Sequence, residues 1–237
     1  MLYLICTPIG NLNDLSLRSI NTLKEVGRIY AEDTRVAANL LQHFQISKKS
    51  IPFHEHNELE QLLDITNALQ EGIDIAVMSD AGAPLISDPG YPLIKKCIEL
   101  DIDFTVLPGP SSVINAVLLS GISPHQFTFY GFLPKTSTGR KKIAEEIKRS
   151  GIPYVFFESA KRLSKTLENF LEILDSNTQI SICREMTKEY ESIYRGSLQE
   201  LYGQLIDSRI TLLGEFVLVI HSSLKTQITS ALDIDFC

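Results

Sequence analysis

Several familiar signatures are missing from this sequence, and each absence removes a class of function. No apolar run in the 237 residues is long enough to span a bilayer, so no membrane helix is expected. The apolar start Met1–Cys6 has no basic region before it and reads as a strand, not a signal peptide. Four cysteines, Cys6, Cys97, Cys183 and Cys237, lie scattered without a Cys-x-x-Cys pair. They read as reduced thiols of a cytoplasmic protein, most of them filling the core. There is no excess of positive charge: the net charge is −7 and the pI about 5.3. That argues against broad, non-specific nucleic-acid binding while leaving room for a local basic patch. The chain has no Gly-x-Ser-x-Gly, no Gly-x-x-x-x-Gly-Lys-Ser/Thr and no Gly-x-Gly-x-x-Gly, and no internal repeat or low-complexity tract. His54-Glu55-His56 puts two imidazoles on one side of a short extended piece, but no third ligand is apparent. A polar rim is expected there and no metal.

What is present points to an α/β protein. Hydrophobic residues make up 44% and charged residues 22%, the balance of a globular chain, and the length suits one large or two smaller domains. The central feature is Met78–Gly90, which holds two Gly, two Pro and two Asp. It follows the β-branched run Ile73–Val77, a buried strand by its pattern, and precedes the helical spacing of Tyr91–Ile98. A loop leading from a strand end into a helix is where open α/β sheets bind ligands, although a plain turn-rich connection would read the same way. Two further loops share its character: Thr7–Asp14 after the strand Leu2–Cys6, and Pro108–Ser112 after Phe104–Leu107.

Strand and helix patterns alternate up to residue 120. Arg28–Ala31 and Ile51–His56 read as strands. Helices are expected along Leu17, Ile20, Leu23 and Val26 (capped by Ser16), along Val36, Leu40, Leu41 and Phe44, and along Leu59, Leu62, Leu63, Thr66 and Leu69, with Asn57 and Glu60 as a capping box. The alternation implies a largely parallel sheet with right-handed crossovers, and the three loops would gather along one edge of it. The character shifts near Gly121–Pro124, which places a domain boundary there: 1–122 and 123–237. In the second half, Phe127–Tyr130, Tyr154–Phe157, Gln179–Cys183, a segment ending at Gly196 and Glu215–His221 read as strands. Helices are expected along Leu163–Leu174 and Leu198–Leu205. Gly131–Lys142 reads as an exposed basic connector, and the final sixteen residues show no strong pattern.

Two clusters of opposite charges, Glu32-Asp33-Thr34-Arg35 and Arg184-Glu185-Met186-Thr187-Lys188, each lie just past a strand. They are either structural ion pairs or groups facing one cleft. Loops of uncharged Gly, Ser and Pro suit a ligand recognised through backbone groups better than a polyphosphate.

Taken as an ordered set, these segments resemble a known family. They are Thr7–Leu12, Ala31–Arg35, Ser79–Gly90, Pro108–Ser112, Gly131–Pro134, Phe157-Glu158-Ser159 with Arg162, Arg184-Glu185 with Thr187-Lys188, and Gly214–Val217. The set resembles the ribosomal RNA small subunit methyltransferase I family, within the tetrapyrrole methylase class. The resemblance covers residues 1 to 221. It implies two α/β domains with S-adenosylmethionine (SAM) in the cleft between them, a homodimer, and 2′-O-methylation of a decoding-site cytidine in 16S rRNA or the small ribosomal subunit. By position, SAM would be met by Pro8, by Asp80, Ala81, Gly82, Ala83 and Pro84, by Ser111 and Ser112, and by Glu158, Cys183 and Arg184. The expected proton acceptors are Asp33, Glu185 and Lys188, from their placement just past strands. Arg35 and Arg184 are expected to hold phosphate, helped by Lys135 and Arg140–Lys142. Ala83 stands where the family usually has Thr, and Ala160-Lys161 where Pro-His is common. The family commonly adds a small helical segment after the last strand, and here the chain stops soon after it. A SAM enzyme acting on a tetrapyrrole or other small molecule, and a non-catalytic SAM-binding paralogue, are the competing readings.

Overall fold

In a computed structural model, which describes residues 1–222, the chain forms two compact units. One comprises Met1–Leu119 with Cys183–Ser192, and the other Ser120–Ile182 with the segment from Ile193 onward. Among the described residues, no helix is long and apolar enough to cross a membrane.

The first unit is a five-stranded sheet built from β1 (Leu2–Ile5), β2 (Arg28–Ala31), β3 (Ser50–Pro52), β4 (Ile75–Met78) and β5 (Phe104–Leu107), in the order β3-β2-β4-β1-β5. Every pairing is parallel, as right-handed β-α-β crossovers require. Both faces of the sheet are buried, and the alternation of side chains decides which residue serves which face. Ile75 and Val77 of β4 pack with Leu2, Leu4 and Tyr30 against α3 (Glu58–Gln70) and α4 (Tyr91–Glu99) through Ile65, Ala68, Leu93 and Cys97. Ala76 and Met78 face the other way and pack with Ile5 against α1 (Leu17–Glu25) and α2 (Thr34–His43) through Leu23, Leu40 and Leu41. Ser16 caps α1 by accepting from the Ser19 amide at 3.1 Å. α5 (Ser112–Ser120) follows β5.

The second unit has the sheet order β6-β7-β10-β8-β9, from β6 (Thr128–Phe132), β7 (Tyr154–Ser159), β8 (Gln179–Arg184), β9 (Ser192–Ser197) and β10 (Glu215–His221). β6 runs parallel to β7, and β10 antiparallel to it. The helices α6 (Ser137–Ser150), α7 (Ala160–Leu171) and α8 (Leu198–Ile206) share one core, with Ile143, Ile147, Leu163, Leu167, Phe170 and Leu201 against Phe156, Ile182, Leu218 and Ile220. Ser197 and Glu200 form a capping box on α8.

The structure departs from the sequence expectations in four places. The exposed connector at 131–142 is a tight turn followed by a helix, α6, whose buried stripe is only Arg140, Ile143, Ala144 and Ile147. Leu17, Val36, Leu59 and Leu63 project into solvent, because each helix packs through a narrower stripe than its apolar residues mark out. Asn57 makes no capping box: its side chain instead accepts from the His54 amide and donates to the Pro52 carbonyl. His54 and His56 lie past β3 in a turn, with ring centroids 5.9 Å apart. Cys237 lies outside the described residues, as do all but the first of the final sixteen; Cys6, Cys97 and Cys183 are free and buried.

Candidate active site

The three turn-rich loops of the first unit meet at the carboxyl ends of β1, β4 and β5. Thr7 and Gly82 form a two-way bridge, Thr7 N–H to Gly82 O at 2.9 Å and Gly82 N–H to Thr7 O at 3.0 Å. The hydroxyls of Thr7 and Ser79 tie down the inside of the same turn, donating at 3.1 Å to the carbonyls of Ser79 and Gly82 respectively. Residue 109 must lack a side chain, since a Cβ there would come 2.9 Å from Cys6 Cβ at the end of β1. Pro8 is buried within this junction. Ser111 accepts from the Ile114 amide at 3.4 Å and so starts α5, and Ser112 is its first residue.

The Asp80–Gly90 loop is held in a costly conformation. Leu85 and Ser87 both have left-handed backbones, at φ +73° and +70°. Single residues persist in that region only where their surroundings over-determine them, which is common at ligand-binding sites. Part of the restraint is visible: Glu58 accepts from the Gly90 amide at 2.9 Å.

Asp80 and Asp88 of this loop and Glu32, just past β2, lie near enough for their charges to act on one another. Asp88 is half-buried, and desolvation, reinforced by the negative charges of Glu32 and Asp80, pushes its pKa up to about 6. Glu32 is raised for the same reasons, desolvation first and Asp80 next. Asp80 is raised by partial desolvation, while its Oδ1 accepts from the Asp33 amide at 2.9 Å. Sequence reading did not single out Glu32 or Asp88 within the segments that contain them. Glu32 lies just past β2, whereas Asp88 is brought near it only by the path of the long loop after β4.

Asp33, an expected proton acceptor, caps α2 by accepting from the Arg35 amide at 2.8 Å. Its carboxylate also grips the Arg35 guanidinium at 2.5 to 3.2 Å, and this bonding lowers its pKa to about 2. A carboxylate so stabilised in its ionised form is a weak base. Arg35 itself is exposed, so its guanidinium is presented outward by Asp33.

Residues 183–192 belong to the first unit and pack on the first loop. Thr187 Oγ1 accepts from the Asn11 amide at 3.2 Å. A Cβ at Gly10 would collide with Lys188 Cγ and come 2.8 Å from Thr187 Oγ1. Glu185 and Thr187 again have left-handed backbones, φ +50° and +65°. The expected acids and bases Glu185 and Lys188 are joined to one another at 2.9 Å. Arg184 is buried, and its guanidinium donates to the Tyr190 carbonyl at 2.8 Å, bracing the segment from within. Cys183 Sγ lies 3.9 Å from the Ala116 carbonyl of α5.

Of the expected site residues, the structure thus brings together Pro8, Asp80, Ala81, Gly82, Ala83, Pro84, Asp33 and Arg35 around the strand ends. Ser111 and Ser112 start the helix after the third loop, and Cys183, Arg184, Glu185 and Lys188 sit on the segment that packs on the first. The remaining three lie in the second unit. Glu158 is buried, with its carboxylate engaged by Arg162, the Ser159 amide and the Thr166 hydroxyl. Lys135 is exposed. Arg140, expected on the surface to hold phosphate, is instead buried at 5% exposure, donating to Asn169 Oδ1 and to the carbonyls of Pro134 and Lys135. Its charge is committed to the fold, because an arginine at that turn of α6 faces α7 and not solvent. Among the described residues, no group of three or more His, Cys, Asp or Glu side chains is arranged to hold a metal ion.

The sequence profile of the Tetrapyrrole (Corrin/Porphyrin) Methylases matches residues 1–202. The chain belongs to the tetrapyrrole methylase family. Within that family it is similar to curated proteins named ribosomal RNA small subunit methyltransferase I. The Halalkalibacterium halodurans protein is 43% identical over 94% of this chain and 76% of its own length. That of Streptococcus pyogenes serotype M3 is 41% identical over 99% and 81%, and that of Vibrio cholerae 39% identical over 93% and 77%. Among solved structures, the tetrapyrrole methylase fold recurs in diphthine synthase, with a TM-score of 0.72 at 12% identity covering 94% of this chain and 90% of that one. It recurs also in uroporphyrin-III-C-methyltransferase from Thermus thermophilus, at 0.62 and 17%, covering 93% and 94%. This member of the tetrapyrrole methylases is a methyltransferase of the small-subunit methyltransferase I branch.

Proposed function

We propose that this methyltransferase transfers the methyl group of SAM to the ribose 2′-hydroxyl of a cytidine in the decoding region of 16S rRNA. The rRNA part is supported by relatives at 39–43% identity named for that substrate. The chemistry is supported above all by one observation: a half-buried carboxyl with its pKa pushed up to about 6, Asp88, which lines a small pocket with Glu32, Ser79 and Pro84. SAM carries cationic ammonium and sulfonium groups, which suit the carboxyls of Glu32 and Asp80, while the Ser111–Ser112 helix start offers backbone amides. When bound, SAM supplies an activated methyl group.

This chain's residues then have two tasks, aligning the ribose oxygen and receiving its proton. Asp88 is the group matched to the second task near neutral pH. Asp33 orients Arg35 toward a phosphate, the Glu185–Lys188 pair ties the 183–192 segment internally, and Thr187 holds that segment to the first loop through Asn11. Lys135 is exposed and suited to a phosphate contact of its own. A domain boundary near residue 122 is supported by the break between Leu119 and Ser120, with Cys183–Ser192 returning to the first unit. A homodimer and a cytoplasmic location are part of the proposal, and sedimentation of the purified protein tests the former.

The decisive experiment maps ribose methylation of 16S rRNA in a strain lacking the gene. One missing 2′-O-methyl, restored by the gene, is expected. An unchanged map overturns the proposal, and methylation of a tetrapyrrole by the purified protein would establish the small-molecule reading instead. Single-turnover rates assign the roles: Asp88→Asn is expected to lose about 10²- to 10⁴-fold. Asp33→Asn, Glu185→Gln and Lys188→Met are expected to act mainly on substrate affinity.

A further inference from the structure

The turn Gly131–Thr136 in the second unit is braced more heavily than a connector requires. Gly131 has a left-handed backbone, φ +78°, at an irregularity where the pairing of β6 with β7 shifts register. Three consecutive carbonyls are then gripped by two guanidinium groups. Arg162 donates to Leu133 O at 3.2 Å; Arg140 donates to Pro134 O at 3.2 Å and Lys135 O at 2.9 Å. Each guanidinium is itself anchored, Arg140 on Asn169 Oδ1 at 2.9 Å and Arg162 on the buried Glu158 at 2.6 Å. Thr136 caps α6 by accepting from the Gly139 amide, and a Cβ at residue 139 would come 2.6 Å from Pro134 Cβ.

This bracing displays two side chains. Phe132 is 58% exposed although it is a large apolar ring, and Lys135, three residues on, is exposed. The Phe132 ring is held edge-to-face on Phe157 at 5.4 Å, and Phe157 is held in the same way by Phe129 at 5.1 Å. A supported, solvent-facing ring with an exposed lysine three residues on has the chemistry that recognises single-stranded RNA: an unpaired base stacks on the ring and a neighbouring phosphate meets the charge. Fixing the ring and the backbone that carries Lys135 in advance lowers the ordering cost of binding.

We propose that Phe132 is a stacking platform for an unpaired base of the RNA substrate, with Lys135 on the neighbouring phosphate. Arg140 and Arg162 act as positioning residues through the carbonyls of the turn. This rests on the reading of the chain as an rRNA methyltransferase.

The test measures binding of the purified full chain to a single-stranded oligonucleotide of the decoding-region sequence and to the small ribosomal subunit, over a series of salt concentrations. Phe132→Ala is expected to weaken RNA binding about 5- to 150-fold, the range for losing one base–aromatic stack, with SAM affinity and melting temperature retained. Phe132→Tyr and Phe132→Trp should keep the affinity, whereas Phe132→Leu, apolar but not aromatic, should lose it. Lys135→Ala should lower the slope of log K against log salt by about 1, and Phe132→Ala should leave that slope unchanged. In an Arg162→Met background, Lys135→Ala should cost less than it does alone, since the Leu133 carbonyl is released and the turn that carries Lys135 is loosened. Wild-type affinity in Phe132→Ala, or full rescue by Phe132→Leu, overturns the stacking proposal while leaving the rRNA reading intact. A change in sedimentation of Phe132→Ala would mark the ring as a contact between protein copies and overturn it as well. If the wild-type chain binds neither RNA, both readings fall.

Discussion

Replacing Asp88 with asparagine should make the protein more stable and less active at the same pH. In the fold, desolvation first and the charges of Glu32 and Asp80 next raise the Asp88 carboxyl from 3.8 to about 6. The unfolded chain therefore ionises first, and between roughly pH 4 and 6 the folded protein holds the extra proton. Stability contributed by this group is thus greatest at low pH, falls as pH rises through that window, and stays reduced above it. Two pKa units correspond to just under ~3 kcal/mol. The group is partly solvated, so screening reduces this to about 1–2 kcal/mol. Asparagine keeps the shape and carries no charge. For a chain of this size, Asp88→Asn should then melt about 3–6 °C higher than wild type at pH 8 and within a degree or so of it near pH 4. Scanning calorimetry of both proteins from pH 4 to 8 measures the difference. A constant offset across the range, or a lower melting temperature at pH 8, would show that the Asp88 carboxyl is not strained by its surroundings. Its assignment as proton acceptor would then lose its physical basis.

Other substitutions address the remaining contacts. Gly10→Ala should push the first loop away from Thr187 and Lys188, costing about 1–3 kcal/mol; SAM affinity by calorimetry should fall with it, and an unchanged affinity would separate the 183–192 segment from the site. Arg35→Ala should reduce the salt dependence of RNA binding by about one unit of slope and let the Asp33 pKa rise from about 2 toward its ordinary value, which carbon-detected titration would follow. Ser87→Gly should relieve the left-handed backbone at φ +70° and stabilise the protein by about 1 kcal/mol; if it melts lower, the loop is held by contacts of the serine side chain and not strained by it.

The elements were largely legible in the chain. Among the described residues, the ten strands and most helices follow from periodicity, because a two-residue alternation or a 3.6-residue stripe is a local property that burial on one or two faces imposes directly. α6 escaped because its first two turns, Ser137–Lys142, are polar and basic, leaving Ile143 and Ile147 as a short apolar signal. The apolar stripes overstated burial at Leu17, Leu59 and Leu63, since hydrophobicity is necessary for a core position but does not select it. The place of the site was also readable: three loops rich in Gly, Pro and Asp must share one edge if their strands run parallel in neighbouring positions of a sheet.

The ionisation state and partners of each residue in that place were not readable. Whether Arg140 meets solvent or Asn169, whether Asp33 is a free base or the partner of Arg35, and whether Asp88 titrates near 4 or 6 all depend on distances between residues far apart in sequence. Local pattern therefore determined the strands, helices and ligand-bearing edge of this methyltransferase. Only tertiary packing decided which charges were buried and which were paired, because desolvation and ion pairing act across space and leave no periodic mark on the chain.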